Sequence, residues 1–301
     1  MTDLFYINRQ TKQKEKENIP CKTCLEVLYH GNPFSWFFRT LLCKTPLFSR
    51  LFGSLQDRPS SRKKIAPFIE KYQIDTSDFL DPPESFPTFN AFFTRKLKPS
   101  ARPISNGNDV AILPADGRYL AFQSIHHQEG IWAKGKKFSL EKLLGDAKLA
   151  HKYAHGSLAI IRLAPVDYHR FHFPFDCVPS EPTLINGPLY SVNPIALKKN
   201  IEILTENKRA LTHLKTEHFG TVLYVEIGAT NVGSIVQTYE PEKHYAKGDE
   251  KGFFAFGGSC ILLLFEPGRI QLDHDLIENT SQGLETLGQL GQPLGKALKL
   301  I

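Results

Sequence analysis

One stretch constrains this chain more than any other: "FGGSCILLLFEPG", residues 256–268. Ile261 to Phe265 form an unbroken apolar run, bounded by glycines before and Pro-Gly after. Such a run reads as a strand buried on both faces. The stretch before it, "YAKGDEKGFFA", is charged and glycine-rich. A pair of glycines, a serine and a cysteine thus stand where a strand enters a core, a costly place for polar groups without a purpose.

A core large enough to bury such a strand is available. The chain has 301 residues, 41% hydrophobic and 23% charged, enough for one large domain or two smaller ones. The net charge of +6 suits nucleic acid, an anionic membrane or an anionic substrate, and does not choose among them. Five cysteines, Cys21, Cys24, Cys43, Cys177 and Cys260, are odd in number and irregular in spacing, which argues for a reducing compartment. Cys21 and Cys24 have the C-x-x-C spacing, but no second pair follows, which weighs against zinc. The N-terminus lacks the apolar core of a secretory signal, and no uninterrupted apolar stretch is long enough to span a membrane.

Residues 1–20 are polar and are expected to be loosely ordered. Residues 34–55 differ: Phe34, Phe37, Phe38, Leu41, Leu42, Phe48, Leu51, Phe52 and Leu55 fall on one helical stripe, with Arg39 and Arg50 opposite and Lys44 at its edge. Pro46 divides it. The stripe fits a core-facing helix or an interfacial membrane helix. A helix is expected over 62–80, then a helical or mixed segment in "TFNAFFTRKLK". From residue 110 short apolar or alternating runs between glycines and prolines predict a β-rich domain, interrupted by a short helix around 200–213. A boundary near residue 100 separates an N-terminal helical region, 1–100, from a catalytic domain, 101–301.

Three sites could carry chemistry. In "VDYHRFHFPFD", His169 and His172 share a face if helical and oppose each other if extended. They read as a hydrogen-bonded pair in an aromatic shell or as an acid or base near neutral pH; no third metal ligand lies nearby. Asp116 in "LPADGRY" has the chemistry of an Asp-Gly turn. Ser259 lies behind two glycines, where little bulk shields the preceding carbonyl from its hydroxyl; attack there is intramolecular and needs a base and an acid to orient it.

Seven motifs, "FPTFNAFFTRKLKPSARPI", "PADGRY", "WAKGKKFSL", "DYHRFHFP", "YSVNPIAL", "VEIGATNVGSI" and "KGDEKGFFAFGGS", then follow in an order that resembles the phosphatidylserine decarboxylases over roughly residues 85–270. The resemblance implies a proenzyme that cuts itself between Gly258 and Ser259. Asp116, His172 and Ser259 would be the self-cleavage triad, and His169 would serve decarboxylation. Ser259 would become a pyruvoyl group that forms a Schiff base with the substrate amine, so neither pyridoxal phosphate nor metal is called for. The products would be a β chain, 1–258, and an α chain, 259–301, locked together as a heterodimer by the "ILLLF" strand. The fold implied is α+β: N-terminal membrane-associating helices, then a β-rich, barrel-sandwich-like catalytic domain. Phosphatidylserine is the implied substrate, and the enzyme would be peripheral on the cytoplasmic face of the cell membrane, held by anionic lipid and binding no nucleic acid; a homo-oligomer is left open. One departure stands out: the family usually has threonine or serine after the cleaved serine, and this chain has Cys260, a thiol that could compete as nucleophile. Other readings of the residues are a serine hydrolase acting on an external ester, a membrane-bound β scaffold with structural histidines, and a pyruvoyl decarboxylase of a soluble amino acid.

Overall fold

A computed structural model describes residues 3–19, 22–29, 43, 53–125, 138–229 and 235–298. Its strands and helices are numbered in chain order among these residues. The architecture is α+β, with many strands and few, short helices.

The largest sheet is built around β13 (Ser259–Phe265), which lies between β5 (Ser157–Leu163) and β10 (Thr221–Gly228), antiparallel to both. From β5 the sheet continues through β4 (Gly117–Phe122) and β15 (Glu285–Gly288) to β1 (Phe5–Asn8) and β2 (Lys14–Lys16). From β10 it continues to β9 (Arg209–Lys215), which pairs with β7 (Val178–Pro179) and β8 (Thr183–Ile185).

The apolar run has a simple cause. Ile261, Leu263 and Phe265 point into one core with Ile161, Leu163 and Tyr224, while Cys260, Leu262 and Leu264 point into another with Ile160, Leu223 and Val225. Alternation vanishes from the sequence because both faces of the strand are covered. Removing the five side chains Ile261–Phe265 from water contributes roughly 10 kcal/mol of gross transfer free energy, an upper bound before chain entropy is charged.

Beside this sheet lies a three-stranded one of β11 (Ile235–Gln237), β12 (Glu250–Phe254) and β6 (Arg170–His172). Lys251 sits at an irregularity in the β12–β6 register, between Glu250↔His172 and Gly252↔Phe171. Its fully buried ammonium reaches back to the large sheet, donating to Glu226 Oε1 (2.5 Å) and Thr212 Oγ1 (3.0 Å), and to Gln237 Oε1 (2.9 Å). A third sheet joins β3 (Val110–Ile112), β16 (Pro293–Ala297) and β14 (Ile270–Leu272).

Several expectations need correction. Residues 3–19 are not loose: β1 pairs in parallel with β15, Tyr6 opposite Glu285. Arg9 pairs with Asp273 (2.7 Å) and Asp275 (2.8 Å), and buried Glu17 accepts from both terminal nitrogens of Arg162 (2.9 Å each). A polar composition suggests disorder only until its charges find buried partners. The helix expected over 62–80 is a 3₁₀ turn, Pro59–Lys64, followed by α2 (Ile65–Tyr72; α1 is Lys22–Leu28). It stops because Gln73 turns left-handed, with φ of 52°, and Ile74 N closes on Ile69 O at 3.1 Å. The segment "TFNAFFTRKLK" holds one short helix, α3 (Phe89–Phe93).

The helix expected around 200–213 is also shorter. After α4 (Leu140–Leu144), α5 (Ala147–Tyr153) and α6 (Pro194–Leu197), α7 covers only Ile203–Glu206, and 209–215 is β9. Asn207 ends the helix by donating to Tyr190 O and Gly228 O (2.8 Å each), so sheet pairing overrides helix propensity. The last helix is α8 (His274–Ser281). Most of the amphipathic stripe at 34–55, with Arg39, Lys44 and Arg50, lies outside the described residues, as does Cys21. Among those described, no helix is long and apolar enough to cross a membrane.

Candidate active site

Ser259 opens β13, its backbone opposite Leu163 of β5 and Gly228 of β10, and it is fully buried. Side chains alternate along the strand, so its hydroxyl shares the face of Ile261 and Leu263, towards the three-stranded sheet. There His169 Nδ1 lies 3.5 Å from Ser259 Oγ. The other ring nitrogen, Nε2, is 3.0 Å from Ala164 O, and a carbonyl can only accept. Nε2 therefore carries the proton in the neutral ring, and Nδ1 presents its lone pair to the serine.

The ring is held and kept neutral by its surroundings. Phe93 of α3 stacks on it, with centroids 4.0 Å apart and planes 25° from parallel. Burial, and then the Arg95 guanidinium, push His169 down to about 3. Arg95 is itself buried, over the rings of Phe79 (4.7 Å) and Phe92 (5.0 Å), and donates to the carbonyls of Val166 (3.4 Å) and Asp167 (3.3 Å). No ion pair reaches it among the described residues, and burial lowers it to about 10.

The loop before His169 is fixed from its other side. Ala164 N donates to the Asp167 carboxylate (2.6 Å), which pairs with Arg118. Arg118 also faces Glu17, and Arg162 joins Glu17 to Glu285 through 2.6–3.0 Å bonds. A buried charged layer thus backs the part of β5 that pairs with Ser259.

Asp116 and His172 are placed differently. Asp116 accepts from Arg102 (2.7–3.1 Å) and from Leu290 N (2.8 Å); the other arm of Arg102 holds Asp78 (2.7 Å). His172 donates from Nδ1 to Gly248 O (2.9 Å), leaving Nε2 to the Tyr168 hydroxyl at 3.4 Å. Burial lowers its pKa, with Glu250 and Asp116 opposing. No hydrogen bond joins His172 to Ser259 or to Asp116. The two histidines lie at odd spacing on an extended segment, so they point to opposite sides and one alone can face Ser259. The structure therefore brings together Ser259 and His169, and not the expected set of Asp116, His172 and Ser259.

Cys260 lies on the far face of β13, in the core with Leu262 and Leu264, and burial pushes its thiol up. The thiol is therefore turned away from the Gly258–Ser259 bond. Phe171, Phe173 and Phe175 pack with Tyr224, Tyr245 and Phe219 as core. The aromatic ring on the histidine is instead Phe93, which sequence reading missed together with Arg95. The one signal was an arginine closing an aromatic run, "FNAFFTR".

The profile of the phosphatidylserine decarboxylase family matches residues 89–289. The chain belongs to the phosphatidylserine decarboxylase family. Its relatives include the phosphatidylserine decarboxylase proenzymes of Chlamydia caviae, 52% identical over 99% of this chain and 100% of the relative, and Chlamydia felis, 50% identical over 99% of each. That of Chlamydia muridarum is 49% identical over 98% of this chain and 97% of the relative. The family match runs from the start of α3 to just past β15, and so holds Asp116, both histidines and Ser259 within it.

Proposed function

We propose that this chain is a proenzyme that cuts itself between Gly258 and Ser259 and then decarboxylates phosphatidylserine to phosphatidylethanolamine and carbon dioxide. The observation that carries the reading is a buried serine at the head of β13 with the lone pair of a neutral histidine 3.5 Å away. Cleavage needs no reagent but water. Ser259 Oγ bonds to the Gly258 carbonyl carbon as its peptide C–N bond breaks, giving an ester and a free amine. Elimination across Cα–Cβ of residue 259 releases the Gly258 carboxylate, and water displaces ammonia to leave the pyruvoyl group.

The site suits that group. Gly257 adopts φ of 143°, which side chains avoid, whereas a Cβ at Gly258 would, among the described residues, meet only Val192 (3.8 Å) and Ala229 (4.0 Å). A pyruvoyl carbonyl supplies an electron sink for the charge left when carbon dioxide departs. His169 Nδ1 lies beside that position, 3.5 Å from Ser259 Oγ. It accepts the Ser259 proton only as charge develops, and the imidazolium formed is a strong acid, because burial and Arg95 disfavour it, so it readily returns the proton. The fully buried surroundings of Ser259 and His169 favour loss of carboxylate charge.

The family resemblance gives self-cleavage to His172 and Asp116 and decarboxylation to His169, and the Coulombic pull of Asp116 on His172 favours this second assignment. Denaturing mass spectrometry separates the two. An intact His169→Ala chain makes His169 the cleavage base; a split His169→Ala chain beside an intact His172→Ala chain returns that role to His172. A wild-type chain that stays whole refutes the proenzyme reading altogether. Activity that survives both hydroxylamine and borohydride refutes an essential carbonyl.

The mature enzyme is then a heterodimer of residues 1–258 and 259–301. Its apolar stripe at 34–55 and its positive charge support peripheral attachment to anionic lipid at the cytoplasmic face of the cell membrane. Sedimentation with phosphatidylserine vesicles, lost when Phe37, Phe38 and Leu41 become serine, tests that attachment.

A further inference from the structure

Only residues 255–258 connect β12, in the three-stranded sheet, to β13 in the large one. The peptide to be cut lies at the end of this crossing, and its placement depends on what grips so short a segment. One polar grip comes from α3: Phe256 N donates to Asn90 Oδ1 at 3.0 Å. The orientation of that amide is settled, because Asn90 Nδ2 donates to Asp57 Oδ1 at 2.8 Å. The Phe256 ring also packs edge-on against Phe89 (5.3 Å) and Phe93 (4.9 Å) of the same helix.

We propose that Asn90, oriented by Asp57, is a positioning residue for self-cleavage: it holds the Phe256–Gly258 segment against the helix that also fixes His169. The proposal rests on the reading of the chain as a self-cleaving proenzyme. Its physical basis is that α3 touches both partners of the reaction. Phe93 stacks on the imidazole beside Ser259, while Asn90 and the two phenylalanine rings hold the residue two before the scissile carbonyl. The helix is itself pinned, by Thr88 Oγ1 accepting from Ala91 N (3.1 Å) and by Ser61 Oγ accepting from Phe89 N (2.8 Å). One rigid turn thus sets the distance between carbonyl, hydroxyl and base, and intramolecular attack is steeply sensitive to that distance. Asn90 touches none of the reacting atoms, and Asp57 is exposed, so losing their bond has little effect on the fold as a whole.

The test follows the newly synthesised full chain by denaturing mass spectrometry and records its Tm. Asn90→Ala is expected to slow cleavage about tenfold, the effect of one lost hydrogen bond together with a looser segment, with Tm nearly unchanged. Asn90→Asp sets two carboxylates against each other and is expected to slow it further. The double variant Asp57→Asn/Asn90→Asp exchanges amide and carboxylate, restores a donor between them and leaves an oxygen for Phe256 N–H; it is expected to recover most of the rate. A wild-type chain that splits, with Asn90→Ala splitting equally fast, overturns the role of Asn90 alone, as does a stably folded double variant no faster than Asn90→Asp. A wild-type chain that never splits overturns the proenzyme reading and this proposal with it.

Discussion

The residues on the two sides of the Gly258–Ser259 bond are held in opposite ways. After the bond, β13 is paired along its length with β5 and β10 and buried on both faces. Before it, residues 255–258 belong to no strand, and among the described residues the Phe256 N–H bonds to Asn90 and the Phe256 ring packs edge-on against Phe89 and Phe93. The difference suits a bond that breaks. The Gly258 end can withdraw, while residue 259 stays beside His169 because its strand cannot leave without opening two cores. β12, just upstream, is bolted by Lys251, so the freedom is confined to the short crossing.

The contrast can be broken most completely at Ser259 itself. Ser259→Ala removes the nucleophile and keeps the strand, so the expected outcome is a folded, uncut chain with no decarboxylase activity, seen as a single mass. Next in size is the bolt. Lys251→Met leaves the Glu226 carboxylate buried without its partner, which destabilises by about 3–5 kcal/mol. Thermal unfolding should fall by roughly 10 °C, and Lys251→Met/Glu226→Leu should recover much of the loss, since both charges then go.

Acid sharpens the comparison at His169. Its folded pKa lies near 3 against 6.5 unperturbed, so the unfolded chain binds a proton that the folded chain refuses. That contribution to stability is complete above pH 6.5 and is lost as pH falls towards 3; His172, also lowered, acts in the same sense. Thermal melts of an uncut Ser259→Ala chain should therefore drop between pH 6.5 and 4, and a Ser259→Ala/His169→Gln chain should show a shallower slope. The smallest effect is expected on the far face of β13. Cys260→Ala should cost about 1 kcal/mol by removing one small buried group and leave the cleavage rate unchanged, since the thiol points away from the bond.

Much of the chemistry was legible in the sequence because it is written in local order: the glycines, the serine, the apolar run behind them and seven motifs in succession. The strand β13 could be read from "ILLLF" because a doubly covered strand leaves an unbroken apolar signature. Contacts that join distant segments were not legible. Nothing near "NRQ" indicates that Arg9 meets Asp273 and Asp275, and nothing in "FNAFF" indicates that Asn90 reaches Phe256. For the same reason the sequence alone makes the N-terminal strands look loose and β9 look helical.

The sequence by itself determined which residues are available for the reaction: Ser259 behind Gly258, two histidines three apart, and a strand that can be buried only in the middle of a sheet. The tertiary structure decided which of them meet. An extended backbone turns His169 and His172 to opposite sides, and strand alternation turns Ser259 and Cys260 to opposite faces. The packing of α3 then brings Phe93 and Arg95 onto the histidine that faces the serine, across a gap in sequence that no local pattern spans.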